Sequence, residues 1–215
     1  MTKTLIIIGA GGHGKVAADC AENMNVYTEI IFLDDRVDTL KKVGAWRVID
    51  RPENFLKYQN NRVDYFVAIG DNNGRKQWLE KLIVGKVNIA TLIHPSAVVS
   101  CYVKIQLGTL VCANAVINPF SKIGLGCIVN TSASIDHDCM LNDFVHIAPG
   151  CMFAGMVSVG TLSFIGIGCR VIQGISIGIN SIIGAGAVVI NDLTDNIVAV
   201  GVPAKKIKDN VPVNI

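Results

Sequence analysis

A histidine with an acidic residue on each side is the group in this sequence best suited to proton transfer. Asp136, His137 and Asp138 end the run Ser-Ile-Asp-His-Asp. An imidazole open to solvent changes its charge near neutral pH and can act as a general base. A neighbouring carboxylate can hold the ring in one tautomer. The run is also compatible with a solvated histidine that has no catalytic role.

A second candidate for chemistry is the glycine-rich turn near the N-terminus. Gly9, Gly11 and Gly14 have the G-x-G-x-x-G spacing, after a short apolar run and before a segment with helical periodicity. Such a turn presents backbone N–H groups and a helix N-terminus to a phosphate. Asp34 and Asp35 follow at the end of the next predicted strand, where their carboxylates could accept hydrogen bonds from a base or a sugar.

The same glycine spacing occurs in NAD-dependent dehydrogenases, but the sequence gives weak support for that function. Fewer than 100 residues precede the repeats described next, which is too few for both halves of a dinucleotide-binding sheet. A mononucleotide or a nucleotide-linked sugar needs the same phosphate-binding amides and fits the available length. A turn in which the glycines serve only the fold is the remaining interpretation.

The larger part of the chain has a period of six. Every sixth residue from Ile93 to Val189 is apolar, and this period fits neither a helix nor a lone strand. A second column, two residues earlier, holds mostly small or β-branched residues, as at Ala97, Ala133 and Ala187. Two inward columns of this kind predict a parallel β-helix of hexapeptides, with three hexapeptides in each triangular coil.

The first part of the chain alternates strands and helices instead. We predict strands over Thr4–Ile8, Glu29–Leu33 and Val63–Ile69, and helices from Lys15 to about Met24 and over Gly74–Val84. This alternation is typical of a small parallel sheet covered by helices.

Together these patterns predict a mixed α/β unit followed by an all-β unit. We expect residues 1–92 to form a Rossmann-like nucleotide-sugar-binding domain, residues 93–194 to form the β-helix, and residues 195–215 to form a C-terminal tail.

Composition excludes several classes of function. The net charge is +2 and charged residues make up 17% of the chain, and no basic cluster is larger than Lys205-Lys206, so we expect no nucleic-acid partner. No apolar run approaches the ~20 residues of a membrane span, and no signal-peptide pattern is present. We therefore expect a cytoplasmic protein that does not enter a membrane.

The sequence gives little support for a metal site. None of the seven cysteines forms a C-x-x-C pair, and the inward column explains several of them as compact apolar residues. His94, His137 and His146 occupy different positions of the hexapeptide frame, so a zinc site that uses all three is disfavoured.

Several segments resemble one family of enzymes. The hexapeptide run is similar to that of the left-handed β-helix acyltransferases. The sialic-acid-type sugar acetyltransferases, and among them the bacterial UDP-4-amino-sugar N-acetyltransferases of the bacillosamine pathway, are similar in five segments: Gly9–Gly14, Phe32–Asp35, Asn130-Thr131, Ile135–Asp138 and Gly201–Lys205.

The resemblance implies roles for individual residues. It implies that His137 is the catalytic base and that Asp138 strengthens it. The residues that it assigns to the acceptor, a UDP-linked amino sugar, are Gly11, Gly12, His13, Asp34, Asp35 and Gly70. The residues that it assigns to the donor, acetyl-CoA, are His146, Ile167 and Ala185. It further implies a homotrimer with active sites between the β-helices of neighbouring subunits.

We therefore expect direct acetyl transfer from acetyl-CoA to the 4-amino group of a UDP-linked amino-dideoxy sugar. Two alternatives remain open. One is O-acetylation of a sialic-type sugar, which would use the same base and donor site. The other is a nucleotide-sugar-binding module without catalytic activity.

Overall fold

A computed structural model describes residues 3–210 of the chain. The described residues divide into two compact units, the first ending at Pro95 and the second beginning at Ser96. The elements of the first unit are β1 (Thr4–Ile8), α1 (Gly12–Asn23), β2 (Glu29–Leu33), β3 (Lys42–Val43), β4 (Trp46–Asp50), a 3₁₀ helix (Pro52–Tyr58), β5 (Val63–Val67), α2 (Asn72–Val84), β6 (Asn88–Ile89) and β7 (Leu92–Ile93).

The first unit has the predicted Rossmann-like architecture. Its strands form one sheet in the order β3–β4–β2–β1–β5–β6, and β1 pairs in parallel with both β2 and β5. Since β2 and β5 lie on opposite sides of β1, the strand order reverses at the carboxyl end of β1. Ligands of open parallel sheets bind at such a switch point. The turns that follow β1 and β5 both lie there.

Both helices begin earlier than the sequence predicts. α2 starts at Asn72 because the carboxylate of Asp71 accepts a hydrogen bond from Gly74 N–H at 2.6 Å, which makes Asp71 the N-cap. α1 starts at Gly12, directly after Gly11. The turn residues that we expected before each helix are therefore partly helical.

The predicted parallel β-helix is confirmed in the second unit. Its coils are built from β8 (Val98–Val99), β9 (Lys104–Ile105), β10 (Leu110–Val111), β11 (Val116–Ile117), β12 (Lys122–Ile123), β13 (Ile128–Val129), β14 (Ser134–Ile135), β15 (Met140–Leu141), β16 (His146–Ile147), β17 (Met152–Phe153), β18 (Ser158–Val159), β19 (Phe164–Ile165), β20 (Arg170–Val171), β21 (Ser176–Ile177), β22 (Ile182–Ile183) and β23 (Val188–Val189).

These strands stack into three flat faces. Face 1 contains β8, β11, β14, β17, β20 and β23, face 2 contains β9, β12, β15, β18 and β21, and face 3 includes β10, β13, β16, β19 and β22. Within each face, neighbouring strands are parallel and in register, as Ile117 with Ile135 and Ile135 with Phe153. The three edges of the prism are the turns between faces.

The interior follows the two predicted columns. From Val111 to Val189 the apolar column is buried, and so are the small residues from Thr109 to Ala187; the first coil is half-buried, as at Val99 and Ile105. Where the small residue is polar, its hydroxyl finds a backbone partner: Thr109 donates to Gly124 O at 2.9 Å and Ser163 donates to Gly178 O at 2.6 Å. These bonds satisfy the buried hydroxyl groups, as a packed interior requires.

The segment that the sequence assigned to a tail contributes two further strands. β24 (Ile197–Val200) pairs in parallel with β22, and β25 (Lys205–Asp209) pairs antiparallel with β24. Ile197 and Ala199 are buried, so the apolar pattern of β24 continues face 3 after the period of six has ended. Residues 211–215 of the expected tail lie outside the described residues.

We expect Ile147→Ala to lower the free energy of unfolding by about 2–5 kcal/mol, because it leaves a cavity in a filled column. Ile147 is fully buried and is aligned with Val129 and Ile165 on the neighbouring coils. Urea denaturation followed by circular dichroism measures the change. Lys104→Ala, on an exposed outward position, is the control. Equal losses in the two variants would contradict the inward assignment of Ile147.

Candidate active site

His137 lies at the edge between faces 1 and 2, in the turn that joins β14 to β15. About half of its side chain is exposed, and Nδ1 lies 2.8 Å from Oδ2 of Asp138. Because an ionised carboxylate can only accept, Nδ1 carries the proton and donates it to Asp138. The lone pair of the neutral ring is therefore on Nε2, which is the atom able to take up a proton.

The backbone of Asp138 has an unusual conformation that suits this contact. Its φ is 57°, in the left-handed region that Asp tolerates better than most residues. Its N–H donates to Pro119 O at 3.1 Å, one coil away. This turn directs the carboxylate back to the ring of the preceding residue.

Asp136 holds the backbone of His137. Its Oδ1 accepts the N–H of His137 at 2.8 Å and an amide N–H of Asn118, also at 2.8 Å. Ser121 Oγ donates to the carbonyl of Asp136 at 2.7 Å. The bond from Asn118, followed by that from the His137 backbone, lowers the pKa of Asp136. Two side chains of the neighbouring coil thus fix the peptide that carries the imidazole.

The ring of His137 packs against Gly155 on the other neighbouring coil. A Cβ at Gly155 would lie 2.5 Å from Cε1 and 2.6 Å from Nε2 of His137. These separations are far shorter than a van der Waals contact. Any side chain larger than hydrogen at this position would therefore move the imidazole.

The electrostatics of the pair favour a strong base. The hydrogen bond to Asp138 raises the pKa of His137, partial desolvation opposes it, and the negative charges of Asp136 and Asp138 add to the rise. A carboxylate that stabilises imidazolium makes the neutral ring more basic. The arrangement suits abstraction of a proton from a nucleophile bound at this edge.

The residues expected at acetyl-CoA occupy a different part of the prism. Ile167 and Ala185 are exposed and stack on neighbouring coils at the edge between faces 3 and 1, where Gly186 N–H donates to Ile167 O at 2.8 Å. His146 lies on face 3. The edge with His137 is opposite face 3, so His146 and the base lie on different sides of a single prism, and Ile167 and Ala185 lie at the other edge of face 1 from His137.

His146 is held in one orientation and is only 9% exposed. The ring of Phe164 packs edge-on against it, with centroids 5.0 Å apart. Asn130 Oδ1 accepts the N–H of Thr131 at 2.8 Å, so the amide nitrogen of Asn130 faces His146 Nε2 at 3.2 Å. Nε2 therefore accepts this bond, and the neutral ring carries its proton on Nδ1.

In the N-terminal unit, the glycines of the turn divide into two groups. A Cβ at Gly14 would lie 2.2 Å from Gly9 O and 3.2 Å from a ring carbon of Phe32, so Gly14 allows α1 to pack against the turn. A Cβ at Gly11 or Gly12 would meet nothing within 4 Å. The open space beside Gly11 and Gly12 is at the start of α1, where helix N–H groups can bind a phosphate.

The two expected aspartates differ in their surroundings. Asp34 is buried, and its oxygens accept Ala10 N–H at 2.7 Å and the side chain of Arg36 at 2.8 and 3.0 Å. The bond from Arg36 contributes most to lowering the pKa of Asp34 to about 2. Asp34 thus ties the glycine turn to β2, whereas Asp35 is exposed and is the carboxylate open to a ligand.

Gly70 and His13 complete the expected acceptor residues. Gly70 follows β5 and its carbonyl accepts a hydrogen bond from Arg75 at 3.1 Å. His13 is half-buried at the start of α1. Burial, and then the positive charge of Arg75, lower the pKa of His13 to about 4, so its imidazole is neutral at pH 7.

Sequence reasoning missed three residues of these sites. Gly155 and Asn118 are one coil away from His137 and Asp136 respectively, and alignment of the coils would have pointed to them. Arg75 has no comparable signal, because an arginine in the first turn of a helix is ordinarily exposed, and its burial is decided by the packing of the N-terminal unit.

Two further findings concern the described residues 3–210. No group of three or more His, Cys, Asp and Glu side chains is placed to hold a metal ion. Neither α1 nor α2 has the length and hydrophobicity of a membrane-spanning helix.

Comparison with known proteins identifies the family. Residues 4–82 match the PglD N-terminal domain. GDP-perosamine N-acetyltransferase of Escherichia coli O157:H7 is 30% identical over 166 residues, which cover 74% of each chain. The chain belongs to the bacterial sugar acetyltransferase family.

Two further relatives agree with this assignment. UDP-N-acetylbacillosamine N-acetyltransferase of Bacillus subtilis is 38% identical over 100 residues, and the match spans 46% of each chain. The solved structure of the acetyltransferase domain of PglB from Neisseria gonorrhoeae, in complex with acetyl coenzyme A, superposes with a TM-score of 0.93. That domain is 40% identical, and the match covers 96% of this chain and 100% of the domain.

We expect Asp138→Asn to lower the pKa of His137, because an amide stabilises imidazolium less than a carboxylate does. Titration of the His137 ring protons by NMR measures the shift. Asp138→Glu, which keeps the negative charge, should retain more of the rise. An unchanged His137 pKa in Asp138→Asn would show that Asp138 does not tune the base.

Proposed function

We propose that this chain transfers the acetyl group of acetyl-CoA to the 4-amino group of a UDP-linked amino-dideoxy sugar. The observation that carries the proposal is the His137–Asp138 pair, which leaves Nε2 of an exposed imidazole ready to accept a proton. Membership of a family of sugar acetyltransferases supplies the reaction class.

In this mechanism the amine attacks the carbonyl carbon of the thioester. The C–N bond forms, Nε2 of His137 takes the proton that the nitrogen must lose, and the C–S bond breaks to release CoA as a thiolate. Asp138 stabilises the imidazolium formed in this step. Backbone N–H groups are suited to stabilise the tetrahedral oxyanion. No covalent enzyme intermediate is needed, because the thiolate is a good leaving group.

The nucleotide is assigned to the switch point of the N-terminal sheet. Gly11, Gly12 and His13 are proposed to bind the phosphates, and Asp35 and Gly70 to border the nucleoside. Asp34 is proposed to support the loop, since its oxygens are already bonded to Ala10 and Arg36. A GDP-linked amino sugar is a second candidate acceptor, because a relative covering 74% of the chain is named for GDP-perosamine.

We further propose that the active enzyme is a homotrimer. Within one chain, Ile167 and Ala185 lie at another edge from His137, and His146 lies on the opposite face. Packing of prisms around a threefold axis can place the donor residues of one chain beside the base of its neighbour. Light scattering in solution tests this assembly. The domain roles and the cytoplasmic location expected from the sequence remain predictions.

An acceptor panel tests the activity. UDP-linked and GDP-linked 4-amino sugars and free sialic acid are each incubated with acetyl-CoA, and thiol release and product mass are recorded. We expect acetylation of the UDP-linked amine. Faster turnover of the GDP-linked amine would correct the nucleotide, turnover of sialic acid alone would favour O-acetylation, and nucleotide binding without thiol release would favour a non-catalytic module.

His137→Ala should lower kcat by roughly 10²–10⁴, the usual contribution of a general base, while the affinities for acetyl-CoA and UDP are retained. Isothermal titration calorimetry measures both affinities. The matched control is His94→Ala, which removes a histidine that the mechanism does not use. Near-normal turnover in His137→Ala would eliminate the assignment of the base.

Gly155→Ala should lower kcat by about 10²-fold, since a small displacement of a catalytic group is that costly. The added methyl group would displace the imidazole, and Gly155 is not among the residues proposed to bind the nucleotide. The KM for the sugar nucleotide should therefore stay near its wild-type value. Wild-type kcat in a folded Gly155→Ala variant would show that the ring does not depend on this contact.

A further inference from the structure

Arg75 carries a positive charge inside the N-terminal unit, in the first turn of α2. The residue is only 1% exposed. A cation is unfavourable there for two reasons: burial removes its hydration, and the N-terminus of a helix has a partial positive charge of its own. Hydrogen bonds from the guanidinium group to nearby oxygens offset the cost of burying this charge.

The guanidinium group is hydrogen-bonded to the turn that follows β5. Nη1 donates to the carbonyl oxygens of Ile69 and Gly70, both at 3.1 Å, and Nη2 donates to Oδ1 of Asn72 at 2.7 Å. A rigid planar fork that binds three acceptors on nearby residues restricts the turn more than a single flexible amine could. The position of Gly70 therefore depends on Arg75.

This turn lies beside the glycine-rich turn. β5 pairs in parallel with β1, and both strands end at the switch point. A Cβ at Gly9 would lie 3.1 Å from Ala68 O, so the chain after β5 and the chain after β1 are in contact. The charge of Arg75 also contributes to the lowered pKa of His13. Arg75 thus influences both walls of the crevice.

We propose that Arg75 is a positioning residue for the nucleotide: its buried guanidinium holds the Ile69–Gly70 turn in the conformation that borders the ligand. This inference rests on the proposed function, which places the nucleotide in this crevice. Arg75 acts through the turn, so it sets the affinity for the sugar nucleotide and has little influence on the acetyl-transfer step at His137.

Arg75→Met tests the proposal by separating KM from kcat. We expect the KM for the sugar nucleotide and the Kd for UDP to rise about tenfold or more, as a misplaced binding group would cause. The kcat and the KM for acetyl-CoA should stay within about threefold. The matched control is Lys76→Met, which removes a positive charge from the next residue of α2, where Lys76 is paired with Glu80. That variant should keep wild-type values.

A second substitution tests whether the planar set of N–H donors or only the positive charge of Arg75 is needed. Arg75→Lys keeps a cation but cannot reproduce the planar set of donors, so the KM for the sugar nucleotide should still rise. Full recovery of the wild-type KM with Lys would overturn the proposal. If Arg75 served only the fold, its substitution would lower the apparent kcat in proportion to the fraction of active enzyme and leave the KM for the sugar nucleotide unchanged. That result would also overturn the proposal.

Asn72→Ala keeps the experiment decisive where Arg75→Met does not fold. It removes one acceptor and leaves the guanidinium, and we expect the Kd for UDP to rise several-fold. Wild-type enzyme that binds neither UDP nor the sugar nucleotide would overturn the proposed function together with this inference. This inference alone would be overturned if the wild-type enzyme is active and a folded Arg75→Met variant keeps the wild-type Kd for UDP. Where Arg75→Met does not fold, an unchanged Kd for UDP in Asn72→Ala has the same meaning.

Discussion

Parallel stacking of coils is the constraint on which the second unit depends. Residues 18 apart become neighbours, as the contact from Asn118 to Asp136 shows. Each coil donates and accepts backbone hydrogen bonds along its faces, while its inward side chains contact those above and below. A shift of one residue would turn the apolar column outward. Register is therefore strongly specified, and whatever side chain a turn presents is held at a fixed height on the prism.

The His137 site uses this rigidity directly. Its supporting residues come from the two adjacent coils: Asn118 and Ser121 from one side, Gly155 from the other. None of them needs a long loop or a movable segment. The imidazole is thus positioned by the same stacking that stabilises the fold, and the turn can expose it without loss of orientation.

Two histidines of this chain illustrate opposite uses of electrostatics. At the prism edge, a carboxylate raises the pKa of His137 and so strengthens a base. At the glycine turn, burial and Arg75 lower the pKa of His13 and keep it neutral. A neutral ring can both donate and accept hydrogen bonds. The local surroundings of each ring, rather than its residue type, decide which chemistry it supports.

The sequence by itself determined the architecture and the position of the proposed base. The period of six indicates a β-helix, because it is neither the 3.6-residue period of an α-helix nor the two-residue period of a lone strand, and the same period places His137 in a turn. The glycine spacing and the strand–helix alternation located the turn that is proposed to bind a phosphate. These are short-range patterns, and neighbouring residues suffice to define them.

Only the tertiary structure decided which side chains are already bonded to, or packed against, other residues of the chain. It showed that Asp34 is bonded to Ala10 and Arg36, that Gly155 makes room for the imidazole, and that Arg75 grips the turn after β5. It also extended face 3 with β24, after the repeat had ended. Some of these contacts join separate elements, as Ala10 with Asp34 and β22 with β24, and no local pattern of residue types encodes that packing. Others join residues close in sequence, as Arg36 with Asp34 and Arg75 with Ile69, but the burial that makes them strong is decided by the surrounding fold.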